Sequence, residues 1–187
     1  MRFWHLTSTT YGTWLPGDER GSVSDHFGPD GRHRNNVYGT EFDSSRPDVY
    51  REAGLRMKQN AVWLTAAQAT AVLDQFEETC HFRGWTLHAT SAAGNHFHVA
   101  LEAGNESPKK LLDDLKAYAT RRLNRLFRRQ EWWTEGGSKR PKPLFDARFE
   151  TVRYIRDQPD AIEVRLYEDS HYVQRLPIFE RAHPKER

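Results

Sequence analysis

The chain is poor in the features that mark an oxidising or membrane setting. It has one cysteine, Cys80, so no intrachain disulfide can form. No apolar run reaches the roughly 20 residues that a membrane-spanning helix needs. The opening stretch from Met1 to Thr10 lacks the apolar core of a secretory signal, so a cytoplasmic protein with no membrane partner is the expectation. Excess charge of one sign is missing too. Lys and Arg number 28 against 26 Asp and Glu, a net charge of +2, which by itself says little about partners. There are no internal repeats and no low-complexity runs.

What is present is a surface-rich globular sequence of 187 residues. Charged residues make up 29% and the mean hydropathy is -0.87. An aromatic content of 12% argues against disorder. The length fits one domain with an appended segment, long enough to bury a core. One domain is expected over 1–160, interrupted by a long irregular loop at about 11–64, with a tail over 161–187.

Residues 2–10 read as a strand. A short helix is expected near 47–58, with Pro47 in its first turn. Thr65 and Gln68 form a capping-box pattern, followed by Ala69, Val72, Leu73, Phe76 and Cys80 at helical spacing, and Gly84 ends that helix. Strands follow at 85–92 and 95–102, joined at Gly94-Asn95. A second helix starts at Ser107-Pro108, buries Leu112, Leu115, Ala119, Leu123 and Leu126, and runs to about Arg129. A short strand near 140–145 precedes a third helix from about Asp146 to Pro159. Residues beyond 160 carry no clear pattern. This order predicts an α+β, ferredoxin-like fold: an antiparallel sheet with helices on one face, plus an added C-terminal helix.

Two constellations carry chemistry. In Asn95-His96-Phe97-His98-Val99-Ala100-Leu101, strand alternation sends Phe97, Val99 and Leu101 to one face. His96 and His98 share the other, where two imidazoles can hold one metal ion. Two half-exposed strand histidines would read the same way. In the third helix, Tyr154 and Gln158 lie one turn apart. Phe149, Val152 and Ile155 form its apolar stripe, and Tyr154 falls on the opposite side. That placement fits a functional tyrosine or an ordinary surface one. Between the two constellations, Lys116 to Arg129 holds six Lys or Arg and no Asp or Glu.

Taken together, these residues resemble the single-tyrosine, His-hydrophobic-His transposases. The match comprises the His96-Phe97-His98 strand, the basic helix, Trp132-Trp133 with Gly136-Gly137-Ser138, and the final Tyr154-Ile155-x-x-Gln158. The nearer likeness is to relatives associated with repetitive extragenic palindromes, whose opening is similar to Thr10-Tyr11-Gly12-Thr13-Trp14-Leu15-Pro16-Gly17-Asp18-Glu19-Arg20-Gly21-Ser22. The resemblance implies a DNA endonuclease and strand transferase. Tyr154 would be the nucleophile that forms a 5′-phosphotyrosine. His96, His98 and Gln158 would bind a divalent ion, magnesium or manganese, although two imidazoles suit manganese, zinc or nickel better. The expected partners are single-stranded or hairpin DNA and a second copy of the chain. A free phenol ionises near pH ~10, so attack at neutral pH needs such help.

Lys116, Arg121, Arg122, Arg125, Arg128 and Arg129 are the expected DNA contacts, with a plain solvated helix face as the alternative. Trp14, Trp132 and Trp133 are candidates for base stacking or for core packing. Two other functions fit parts of the sequence. A non-cutting hairpin-binding protein needs only the basic helix. A metal-free two-histidine phosphoesterase would use His5-Leu6-Thr7 and His88-Ala89-Thr90, and would leave both constellations idle.

Overall fold

A computed structural model describes residues 1–21 and 46–176 in full, and the backbone of 25–28 and 31–34. Within the expected 11–64 loop, residues 22–45 therefore lie outside the fully described residues, as does the tail beyond Leu176. The elements in chain order are β1 (Arg2–Thr9), β2 (Asp25–Gly28), β3 (Gly31–Arg34), α1 (Pro47–Leu55), α2 (Ala66–Arg83) and β4 (Thr86–Ala93). They continue as β5 (His96–Ala103), α3 (Pro108–Leu126), β6 (Ser138–Pro141), α4 (Phe145–Arg156), β7 (Ala161–Leu166) and α5 (His171–Gln174). The chain divides into two compact units. One joins Met1–Thr10 to Trp63–Arg187, and the other is Tyr11–Val62.

The larger unit is built on a five-stranded sheet ordered β6-β1-β5-β4-β7, in which every pairing is antiparallel. Its β1-α2-β4-β5-α3-β6 portion is the ferredoxin-like arrangement. Local chemistry explains the elements. Thr65 and Gln68 do close a capping box on α2, and Gly84 caps it in the left-handed conformation at φ 67°. Ser107 accepts the Lys110 N–H at the start of α3, with Pro108 in the first turn. Gly94 and Asn95 alone separate β4 from β5.

The elements differ from the sequence reading at several places: α1 ends at Leu55, not near 58, and the strand expected near 140–145 lies at Ser138–Pro141. The second helix stops at Leu126, not near Arg129, because Phe127 is extended and the chain returns to bury Trp132, whose Nε1 donates to Asn124. The third helix stops at Arg156, so Gln158 lies past its end. Pro159 disfavours helical backbone at the residue before it. Residues 161–166, which carried no pattern, form the edge strand β7 paired with β4.

The sheet has two unlike faces. Trp4, Leu6, Phe97, Val99 and Leu101 lie on one, and the burial of Phe76 against Phe97 shows α2 covering it. On the other, Phe3, Ala89 and Ala100 pack with Val152 and Ile155 of α4 and with Tyr172 and Val173 of α5. Sharing that second face, by strand register, are His5, Thr7, His96 and His98. No described helix is long and apolar enough to cross a membrane.

Candidate active site

Strand alternation and register assemble this site. Thr7 lies opposite His98 in the β1–β5 ladder, and Thr9 opposite His96. Because antiparallel partners share a face, four polar side chains fall on the α4 side of the sheet. His96 and His98 stand edge to face, with ring centroids 5.0 Å apart. Across from them is Tyr154 of α4. Its ring centroid is 5.3 Å from that of His98 and 5.7 Å from that of His5, within one chain. Val152 and Ile155 anchor the helix in the core while Tyr154 stays 53% exposed, open to a substrate.

Gln158, although outside the helix, is drawn to the same place. Its Nε2 donates to the Tyr154 carbonyl at 3.0 Å, and its side chain lies near enough to His96 and His98 to raise the proton affinity of both. The structure thus brings together Tyr154, His96, His98 and Gln158. It adds two groups that the sequence did not assign to this site. The Nδ1 of His98 lies 2.9 Å from Thr7 Oγ1 and 3.1 Å from His5 Nε2. His5 and Thr7 had signalled only as a His-x-Thr motif, because nothing local shows which strand will lie beside β5.

The electrostatics keep the imidazoles neutral. Burial lowers the proton affinity of His98, and neighbouring His5 and His96 lower it further. Burial does the same for His5, helped by Lys142 and Arg140. His96 is also lowered by burial, with partial relief from Gln158 and Asp160. Neutral imidazoles keep one nitrogen lone pair free at pH 7. At His96, Nδ1 faces Asn95 Oδ1 at 2.7 Å, so that nitrogen carries the proton and Nε2 keeps the lone pair. At His98 the same end is occupied by Thr7 and His5, which leaves Nε2 toward the site. A hydrogen-bonded far nitrogen is the usual support for a metal-binding histidine. The residues therefore fit a divalent ion. Among the described residues no group of three or more His, Cys, Asp or Glu is arranged to hold a metal, and the third donor here would be an amide.

The basic residues separate into distinct roles. Lys116 donates to the carbonyls of Thr134 and Gly136, and burial lowers its pKa to about 8, so it ties down the segment before β6. Arg122 is committed to Asp74 and Glu78 of α2. These internal ties account for both without any DNA contact. Arg121 and Arg125 are exposed on α3, and Arg128 and Arg129 are exposed beyond its end. On the tyrosine's face of the sheet, the exposed Arg140 of β6 lies opposite His5. Trp132 is 1% exposed and Trp133 packs on Phe97, so both belong to the core, and of the three candidate stacking tryptophans Trp14 is the exposed one.

The two His-x-Thr motifs do not converge. A register irregularity between Leu87 and Ala89 breaks the alternation around His88. His88 stacks on Phe3 and meets Ser170, on the α4 side. Thr90 instead bonds Tyr167, which bonds Glu77 of α2 on the other side. A threonine and histidine split across a sheet cannot share one phosphate.

No family model matches this chain, and no curated protein matches it either. Among solved structures, it is similar to a REP-associated tyrosine transposase bound to a REP hairpin, at 10% identity and a TM-score of 0.47. The match covers 82% of this chain and 64% of that one, so the chain spans less than two thirds of that protein. A likeness this distant speaks to neither activity nor ligand.

Proposed function

We propose that the protein is a single-strand DNA endonuclease and strand transferase that cleaves and rejoins hairpin-flanked DNA through a 5′-phosphotyrosine at Tyr154. The observation that carries this reading is the approach of the Tyr154 ring to His98, 5.3 Å between centroids, with His96 and Gln158 at the same place. An exposed phenol on an anchored helix, facing two neutral imidazoles with free lone pairs, is a costly arrangement for packing alone. It suits nucleophilic attack on a phosphodiester.

In the forward step the tyrosine oxygen bonds to phosphorus and the bond to the 3′ oxygen breaks. The phenolic proton leaves to solvent, and the departing 3′ oxygen gains a proton to become a hydroxyl. The new phosphodiester keeps the bond energy, so rejoining is the same exchange in reverse and needs no nucleotide cofactor. Held by His96, His98 and Gln158, a divalent ion such as magnesium or manganese would supply Lewis-acid polarisation of the scissile phosphate. Thr7 and His5 fix the ring of His98 from behind. Arg140 adds positive charge on the same face, and Arg121, Arg125, Arg128 and Arg129 offer phosphate contacts elsewhere. A second copy of the chain is the expected partner.

The test is a covalent complex. Incubated with a single-stranded hairpin DNA and manganese, the protein should yield an adduct that survives a denaturing gel. The adduct should vanish in Tyr154→Phe, in His96→Ala and on chelation. An adduct that persists in Tyr154→Phe would refute the assignment. Tight hairpin binding with no adduct from the parent protein would replace it with a non-cutting DNA-binding role.

A further inference from the structure

The smaller unit holds a cleft of about 420 Å³, lined by Gly17, Asp18, Glu19, Arg20, Pro47 and Tyr50. Its size falls in the roughly 300–1,000 Å³ range of small-molecule sites. The walls are held in place by specific ties. Gly17 has φ +80°, and a Cβ there would sit 2.4 Å from the Arg46 carbonyl and 2.7 Å from the Tyr50 nitrogen. Only glycine lets this turn lie against the start of α1.

Arg20 is clamped flat. Its Nε and Nη2 donate to the two oxygens of Asp18 at 2.8 and 2.6 Å, and Nη2 also donates to the Thr13 carbonyl. Those hydrogen bonds hold the Asp18 carboxyl below the ordinary carboxylate range. The guanidinium carbon lies 4.7 Å from the centroid of the Trp14 ring, and Trp14 is itself fixed by a bond from Nε1 to the Gly21 carbonyl. Nη1 has no partner among the described residues. Other polar groups of the lining remain available: Glu19 is exposed, and the Tyr50 side chain is 46% exposed.

We infer that this cleft binds one unpaired nucleobase that carries an exocyclic amino group. The inference builds on the DNA substrate proposed above and adds a base-reading site in the smaller unit. A planar guanidinium and a tyrosine ring give stacking surfaces that any base can use. The Glu19 carboxylate only accepts hydrogen bonds, so it favours a base edge that donates from an amino group. Asp18 is consumed by Arg20 and does not compete. Nη1, which no described residue engages, is left to meet the phosphate or an acceptor on the base.

The test uses the full chain without added metal, so that cleavage does not intervene. Short labelled single strands that differ in one central base are titrated by fluorescence anisotropy. Strands with a central guanine, cytosine or adenine should bind about tenfold tighter than the thymine strand. Tyr50→Ala should weaken them all about tenfold, and Glu19→Gln should erase the discrimination against thymine. Equal affinity for the four strands, or affinities indifferent to Tyr50→Ala, would overturn the inference. If base discrimination appears with no covalent adduct, the base site stands and the cleavage reading falls. An adduct without discrimination keeps the cleavage reading and removes the base site.

Discussion

One sheet supports two faces built by different rules. Toward α2, β1 and β5 present Trp4, Leu6, Phe97, Val99 and Leu101, all buried and apolar. Toward α4, the same strands present Phe3 and Ala100 but also His5, Thr7, His96 and His98. Strand alternation makes this possible, since neighbouring residues serve opposite layers. The apolar face turns its burial into stability. The polar face gives up part of that and keeps its imidazoles neutral through desolvation, a chemical state that solvent at pH ~6 would not preserve. The pair Phe97 and His98 is the sharpest form of the contrast, adjacent in sequence and unlike in task.

That pair gives the largest expected effects. Phe97→Ala should cost about 3–5 kcal/mol of stability, read as a lower denaturant midpoint, because a fully buried ring against Phe76 leaves a cavity. His98→Ala should abolish adduct formation while costing less stability than Phe97→Ala. If the order of the two stabilities were reversed, the division of labour between the faces would be false.

Thr7 breaks the contrast more gently. Thr7→Val keeps the shape of the side chain and removes the oxygen 2.9 Å from His98 Nδ1. Adduct formation should slow about 10- to 100-fold, the usual cost of losing a supporting hydrogen bond behind a metal ligand. Thr7→Ser should restore it, and the apparent affinity for manganese should fall and recover in parallel. Unchanged metal affinity in Thr7→Val would mean that the hydroxyl only packs.

Acid should distinguish the faces as well. His88 is 1% exposed on the polar face, and burial pushes its pKa down to about 4, with His171 and Arg148 adding to the shift. Below pH ~6.5 the unfolded chain takes up a proton that the folded chain refuses. Stability therefore falls as pH drops from about 6.5 toward 4, by roughly 3 kcal/mol when complete. His5 and His98 act in the same direction. In His88→Gln the acid-side slope of the melting temperature should be shallower than in the parent protein. An identical slope would remove His88 from the account.

Much of this was legible in the sequence wherever the signal was local. The Thr65/Gln68 capping box and Gly84 mark both ends of α2, because caps depend on residues within a turn of each other. The His96-x-His98 alternation and the off-stripe position of Tyr154 were likewise readable from neighbours. Nonlocal facts were not. His5 reaches His98 only because β1 inserts beside β5, across 93 residues of separation. The six residues of β7 are too few and too mixed to announce an edge strand. The end of α3 was overrun because the return of Trp132 to the core is a tertiary demand, not a helix-stop signal.

The smallest expected effect concerns where positive charge meets DNA. A run of arginines looks like one surface in the sequence, yet the fold divides it. Arg122 is tied to Asp74 and Glu78, while Arg121 and Arg125 face solvent on α3, in the layer across the sheet from α4. Arg140 is exposed on the tyrosine's own face. Each phosphate contact on a single strand contributes about 0.7 to the slope of log affinity against log salt. Arg140→Ala should therefore flatten that slope by about this amount, and Arg121→Ala should do so only if the strand also passes along α3. Arg122→Ala should leave the slope unchanged and lower stability, since it removes the ties from α3 to Asp74 and Glu78 of α2. A salt slope that responds to Arg121→Ala but not to Arg140→Ala would move the DNA away from Tyr154, and the polar face would then need another substrate to justify its neutral histidines.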